Sequence, residues 1–154
     1  MLLRNVHRRR IDADPTSVGR LIDTLASKDD RLWPHAFWPR MHFAGGLRAG
    51  SHGGHGPIRY SVEEHAPGQA IVFRFSGDGP PGLTGLHRYR VLVDGKLYGL
   101  SRVSWPLMFR PLHDALIEDS LDIAQQQATG QAPPRPARWS RRVRLLRWAA
   151  QRLR

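Results

Sequence analysis

Between residues 58 and 104 the chain alternates apolar and polar side chains with a period of two, and turn residues break the alternation at short intervals. Ile58, Tyr60 and Val62 alternate with Arg59, Ser61 and Glu63 over 58–65, and Ile71, Phe73 and Phe75 share one face of 70–76. Over 86–93, His87, Tyr89, Val91 and Val93 oppose Leu86, Arg88, Arg90 and Leu92. "APGQ" and "GDGPPGLTG" separate these segments, and Asp94-Gly95 predicts a tight hairpin into a returning strand over 96–104. Alternation at this period places one side-chain set on each face of a sheet, so the pattern predicts an antiparallel meander.

The flanks carry a different period. Residues 2–11 read as a first strand, with Leu3, Val6 and Ile11 as its apolar points. A helix follows: Asp14 suits the cap, Pro15 the first turn, and Val18, Leu21, Ile22 and Leu25 recur at helical spacing. Two Trp-Pro pairs in "KDDRLWPHAFWPRMHF" exclude a long helix there and predict a short helical turn plus a loop, with Trp33 and Trp38 packing it onto the core. After Trp105, read as an anchor between sheet and helix, a helical stripe runs through Leu112, Leu116 or Ile117, Ser120 or Leu121, and Ala124. Pro111 is expected to kink this helix near its start, and Glu118, Asp119 and Asp122 read as its solvated face. One helix, a meander and a long helix make an α+β fold.

Residues 49–60, "AGSHGGHGPIRY", pose the sharpest question of chemistry. His52 and His55 would need His42 or His65 as a third metal ligand, and no HExxH helix or carboxylate cluster accompanies them. A phosphate cradle needs glycines that lead into a helix, whereas these lead into a strand. The segment therefore reads as a turn, its glycines supplying positive φ and Pro57 setting the strand that follows, with a pocket-rim role left for His55. Neither a metal nor a cofactor is expected.

Several stretches carry a family resemblance: "DRLWP" (30–34), "GGHGPIRYSVEEHAPG" (53–68), "VFRF" (72–75), "GLHRYRV" (85–91) and "WPLMFRPLHDALIEDSLD" (105–122). In these stretches and in its order of elements the chain resembles the START-like, or SRPBCC, superfamily, and within it a small bacterial polyketide cyclase/dehydrase-like branch. The resemblance implies a helix-grip fold: a curved antiparallel sheet wrapped around a long C-terminal helix, with short helices after the first strand and a cavity between sheet and helix. Inward strand positions would be Tyr60, Val62, Phe73, Phe75, His87, Tyr89 and Val91, and the helix would contribute Leu112, His113, Leu116 and Ser120. Apolar walls with a few convergent polar groups suit a small apolar or aromatic ligand.

His87 is either a core histidine satisfied by Tyr60, a carboxylate or backbone, or a ligand-contacting group in that cavity. The first expectation is a binding protein for a lipid or polyketide-like molecule. Set against it are a cyclase/dehydratase-like enzyme using His87, with His113 and Tyr89, for proton transfer, and an interaction protein with a closed cavity. The superfamily hosts many activities, so fold alone does not choose among them.

Charge marks the chain's other feature. The net charge is +11, but residues 135–154 hold eight arginines and no acid, leaving 16 basic against 13 acidic residues elsewhere. The predicted organisation is a START-like domain over 1–128, a Pro-rich linker over 129–138, and an Arg-rich amphipathic helix or tail over 139–154. Trp139, Val143, Leu146, Ala150 and Leu153 form the tail's apolar stripe with Trp148 opposite, and few contacts are expected to cross the linker. The stripe suits an anionic membrane surface; nucleic acid is expected as no more than a nonspecific partner. Without cysteine there is no disulfide, thiol nucleophile or thiolate metal site. Neither a secretory signal nor an apolar run of about 18 residues is found, so a cytoplasmic location, peripheral to the membrane if the tail docks, is expected.

Overall fold

The computed structural model describes residues 3–80, 83–91, 96–104 and 109–152. Its strands are β1 (Leu3–Arg10), β2 (Met41–Phe43), β3 (His52–His55), β4 (Ile58–Ala66), β5 (Ala70–Phe75), β6 (Thr84–Val91) and β7 (Lys96–Ser104). Its helices are α1 (Pro15–Asp23), α2 (Arg110–Thr129) and α3 (Arg141–Arg152). The expected hairpin at Asp94-Gly95 and the Trp105 anchor lie outside the described residues.

The strands form one seven-stranded sheet in the order β1-β7-β6-β5-β4-β3-β2. Each of its pairings is antiparallel. Together with its helices it makes the α+β helix-grip fold. Phe73 pairs with Val62 on one side and His87 on the other, so the inward rows of β4, β5 and β6 are in step. Between Val62 and Glu64 the register slips. This bulge leaves Glu63 and Glu64 both exposed, where strict alternation would send them to opposite faces.

Local chemistry explains the helix boundaries. Asp14 accepts the Ser17 backbone N–H at 2.9 Å, and Pro15 occupies the first turn of α1, where no intrahelical donor is needed. Val18, Leu21 and Ile22 are buried, and Gly19 is required because a Cβ there would stand 1.9 Å from the Gly68 carbonyl oxygen. Pro111 falls in the first turn of α2 rather than inside it, so it breaks no helical hydrogen bond and the physical ground for the expected kink is gone. Gly130, left-handed at φ 72°, ends the helix.

Two further sequence expectations give way to tertiary structure. The histidine segment is not a simple turn, because His52–His55 forms β3 between β2 and β4. Gly53 permits that pairing, since a Cβ would lie 2.0 Å from the His42 carbonyl oxygen; the reversal itself falls at Gly56, with φ 52°. Nor is the acidic row of α2 a solvated face. Asn5 donates to Asp114, His7 bonds Asp114 and Glu118, and Arg9 pairs with Glu118 and Asp122, tying β1 to the helix.

Candidate functional site

The predicted interior positions converge where α2 covers the inner face of β4–β6. Tyr60, Val62, Phe73, Phe75, His87 and Tyr89 are buried on the sheet side, with Val91 partly so, and His113, Leu116 and Ser120 are buried on the helix side. Leu112 is only half-buried, one position off the stripe that faces the sheet. Trp33 and Phe43 join the same cluster. Neither was among the expected pocket residues; the alternation of Met41 and Phe43 around exposed His42 was the available signal.

The polar groups in this interior pair with one another. His113 Nε2 lies 3.0 Å from His87 Nδ1, His55 Nε2 lies 3.0 Å from the Tyr60 hydroxyl, and the Tyr89 hydroxyl donates to Ser120 Oγ at 3.4 Å. Ser120 in turn donates to the Leu116 carbonyl oxygen at 3.0 Å. Aromatic rings fill the spaces between: Phe43 stacks on Phe73 at 5.3 Å, Tyr60 is 5.7 Å from Phe73, and His87 meets Tyr89 edge-on at 5.0 Å. His55 is therefore an interior residue against Trp33, at 4.7 Å, and not a pocket rim.

Burial dominates the electrostatics. It lowers the pKa of His55 and His87 from 6.5 to about 3, and it holds His113 well below 6.5. It also pushes the Tyr60 and Tyr89 hydroxyls upward, so all five groups are neutral at ordinary pH. In a neutral His87–His113 pair a single proton occupies the shared hydrogen bond, and the two tautomeric arrangements interchange which ring donates. Such a pair can offer one donor and one acceptor to a ligand carbonyl or hydroxyl. An imidazole with a pKa near 3 is a weak general base at neutral pH.

His87 is 4% and His113 7% exposed, so the pair is closed off from solvent. The open hollows lie elsewhere. One of about 690 Å³ is lined by polar residues including Arg10, Asp12, Asp14, Gln125 and Thr129. Another of about 320 Å³, over the two strand glycines, is lined by His42, His52, Arg59 and Asp78 as well as Tyr60. Among the described residues no three His, Asp or Glu side chains are grouped to hold a metal ion.

The Arg-rich segment meets the body at a second cluster. Asp119 accepts the indole N–H of Trp38 at 2.8 Å and that of Trp139 at 2.9 Å, and Asp122 accepts the Ala137 backbone N–H at 2.6 Å. The Arg147 guanidinium sits 4.0 Å from the Trp139 ring centroid and 4.7 Å from that of Trp38, and donates to the Phe37 carbonyl oxygen. Val143 is buried. Contacts thus do cross the proline-rich stretch, against expectation, and Trp139 and Val143 of the tail's apolar stripe face the protein. No described helix is long and apolar enough to cross a membrane.

No protein-family model matches the sequence, and no curated protein does. Solved structures do share the fold. CalU16 from Micromonospora echinospora superposes with a TM-score of 0.62 at 14% identity, over 99% of this chain and 86% of that one. A conserved protein of unknown function from Enterococcus faecalis gives 0.59 at 13% identity, over 99% and 87%. The Aha1 dimer from Colwellia psychrerythraea gives 0.53 at 14% identity, over 84% and 99%. At such identities the likeness is one of fold.

Proposed function

We propose that this chain is a small-molecule-binding protein of the START-like (SRPBCC) kind, taking an apolar lipid or aromatic, polyketide-like ligand between the sheet and α2. One observation carries the reading: the His87–His113 pair, the His55–Tyr60 pair and the Tyr89–Ser120 pair line an otherwise apolar interior. A core built for stability alone gains little from such groups, since each buried polar atom must recover its lost hydration. A ligand with apolar bulk and one or two oxygen atoms would use both kinds of wall. The domain over 1–128 supplies all of these residues.

Because the pair is closed off, binding requires α2 and the sheet to part, and the measured affinity includes the cost of that opening. Close contact among Phe43, Tyr60, Phe73 and His87 favours a second reading, an interaction protein whose cavity has filled.

Native mass spectrometry of gently purified full-length protein should release a bound apolar molecule. N-phenyl-naphthylamine should bind with enhanced fluorescence, and His87→Gln should weaken that binding more than His52→Gln does, since His52 is exposed on β3. No released molecule, together with no dye binding by the folded protein, would favour the filled-core reading.

A further inference from the structure

Among the described residues the exposed large hydrophobics are Phe37, Leu145 and Trp148, at 55%, 64% and 50% exposure. All three gather at α3. Leu145 and Trp148 are on the helix, and Phe37 is brought to it by the Arg147 hydrogen bond and by an edge-on contact with Trp139 at 5.6 Å. Along α3 the exposed residues Arg141, Arg144, Leu145 and Trp148 fall at i, i+3, i+4 and i+7, which is one face. Val143, Leu146 and Arg147 occupy the opposite side, the side clamped to α2 and the Trp38 loop.

We propose that this outward face of α3 docks on an anionic lipid bilayer. The inference is independent of the ligand reading. It assigns the membrane to the face opposite the apolar stripe, which the fold has used for internal packing. Charge complementarity names the partner, because residues 135–154 carry eight arginines and no acid. Phosphate charge alone would not use an exposed leucine beside an exposed tryptophan. A bilayer would: the tryptophan ring sits at the headgroup level, leucine reaches the acyl boundary, and arginines on the same face meet lipid phosphates. A free amphipathic peptide must fold as it binds. Here the Asp119–Trp139 and Arg147 contacts already hold the helix in place, so less ordering remains to be done on the membrane.

The test uses the full chain with large vesicles of phosphatidylcholine alone or mixed equally with phosphatidylglycerol, read by co-sedimentation. Wild type should bind the anionic vesicles, bind neutral ones far more weakly, and detach as salt rises. Arg141→Gln with Arg144→Gln should weaken binding by about tenfold to thirtyfold, from roughly 1 kcal/mol per arginine near the surface. Leu145→Ser with Trp148→Ser should weaken it by on the order of a hundredfold, with a thermal melt confirming that the variant is folded at the assay temperature. Equal binding to neutral vesicles, or serine variants that bind as wild type does, would overturn the proposal. So would a DNA duplex that binds more tightly than the vesicles and is indifferent to the serine changes.

Discussion

Acidification from pH 6.5 to about 5 should cost this protein up to about 5 kcal/mol of stability, through three buried histidines. Burial lowers His55 and His87 to about 3 and carries His113 in the same direction, whereas in the unfolded chain all three return to 6.5. A folded pKa below the unfolded one means stabilisation that is whole above 6.5 and lost as pH falls towards 3. Each such histidine contributes about 1.4 kcal/mol per pH unit once its unfolded form is protonated, so three give a slope of about 4. That loss rivals the entire stability of a marginal domain, about 5 kcal/mol. Within this window folded His7 stays protonated while its unfolded form completes its protonation, a small opposing change, and the lowered carboxyls of Asp114 and Glu118 titrate at more acid pH. Urea unfolding followed by tryptophan fluorescence at closely spaced pH should give the slope. Calorimetry in buffers of different ionisation heat should count the protons taken up on unfolding. His113→Gln should remove one proton. A slope below one proton would refute the reasoning, since the histidines would then be hydrated or charged in the fold.

Other outcomes follow from features on the sheet's edges and at α3. His7 runs the opposite way, its pKa raised to about 9 by hydrogen bonds to Asp114 and Glu118. Its contribution, about 2 kcal/mol after screening by solvent around the half-exposed carboxylates, is whole below pH 6.5 and lost as pH rises through 9. His7→Leu should flatten that alkaline limb in urea melts. Deleting residues 135–154 removes buried Val143 and the Trp139 bond to Asp119. It should cost about 3–4 kcal/mol and lower the melting temperature by roughly 10 °C in a thermal scan. Gly53→Ala should cost about 2 kcal/mol or more by denaturant titration, because its Cβ collides with the backbone of β2.

Much of this architecture could be read from periodicity, and what escaped has identifiable physics. The alternation in β4, β5 and β6 places Phe73, His87 and Tyr89 on one face because burial there is one-sided. β2 and β3 gave weak signals: three residues around His42 are too few to show a period, and the Gly53-Gly54 pair looks like a turn until a neighbouring backbone demands the missing side chains. The acidic row of α2 was misread because composition cannot show that Asn5, His7 and Arg9, far away in sequence, stand opposite it. The apolar stripe of α3 was legible as a stripe. Its partner was not, because Asp119 looks like any surface carboxylate until two indoles point at it.

The position of β1 also fixes the order in which the chain can be assembled as it is made. β1 pairs with β7, Leu3 opposite Val103 and Arg10 opposite Lys96, and its polar side chains engage α2 further on. β1 therefore leaves the ribosome well before its partner strand and must wait for it. The β3–β4 and β4–β5 hairpins close over short loops and can form during synthesis, whereas β1 pays the entropy of the longest closure in the sheet. A stalled nascent chain ending before β7 should accordingly leave residues 3–10 open to protease, and one extending past α2 should protect them. Until that release point, β1 is an unpaired arginine-rich strand, open to misplaced pairing.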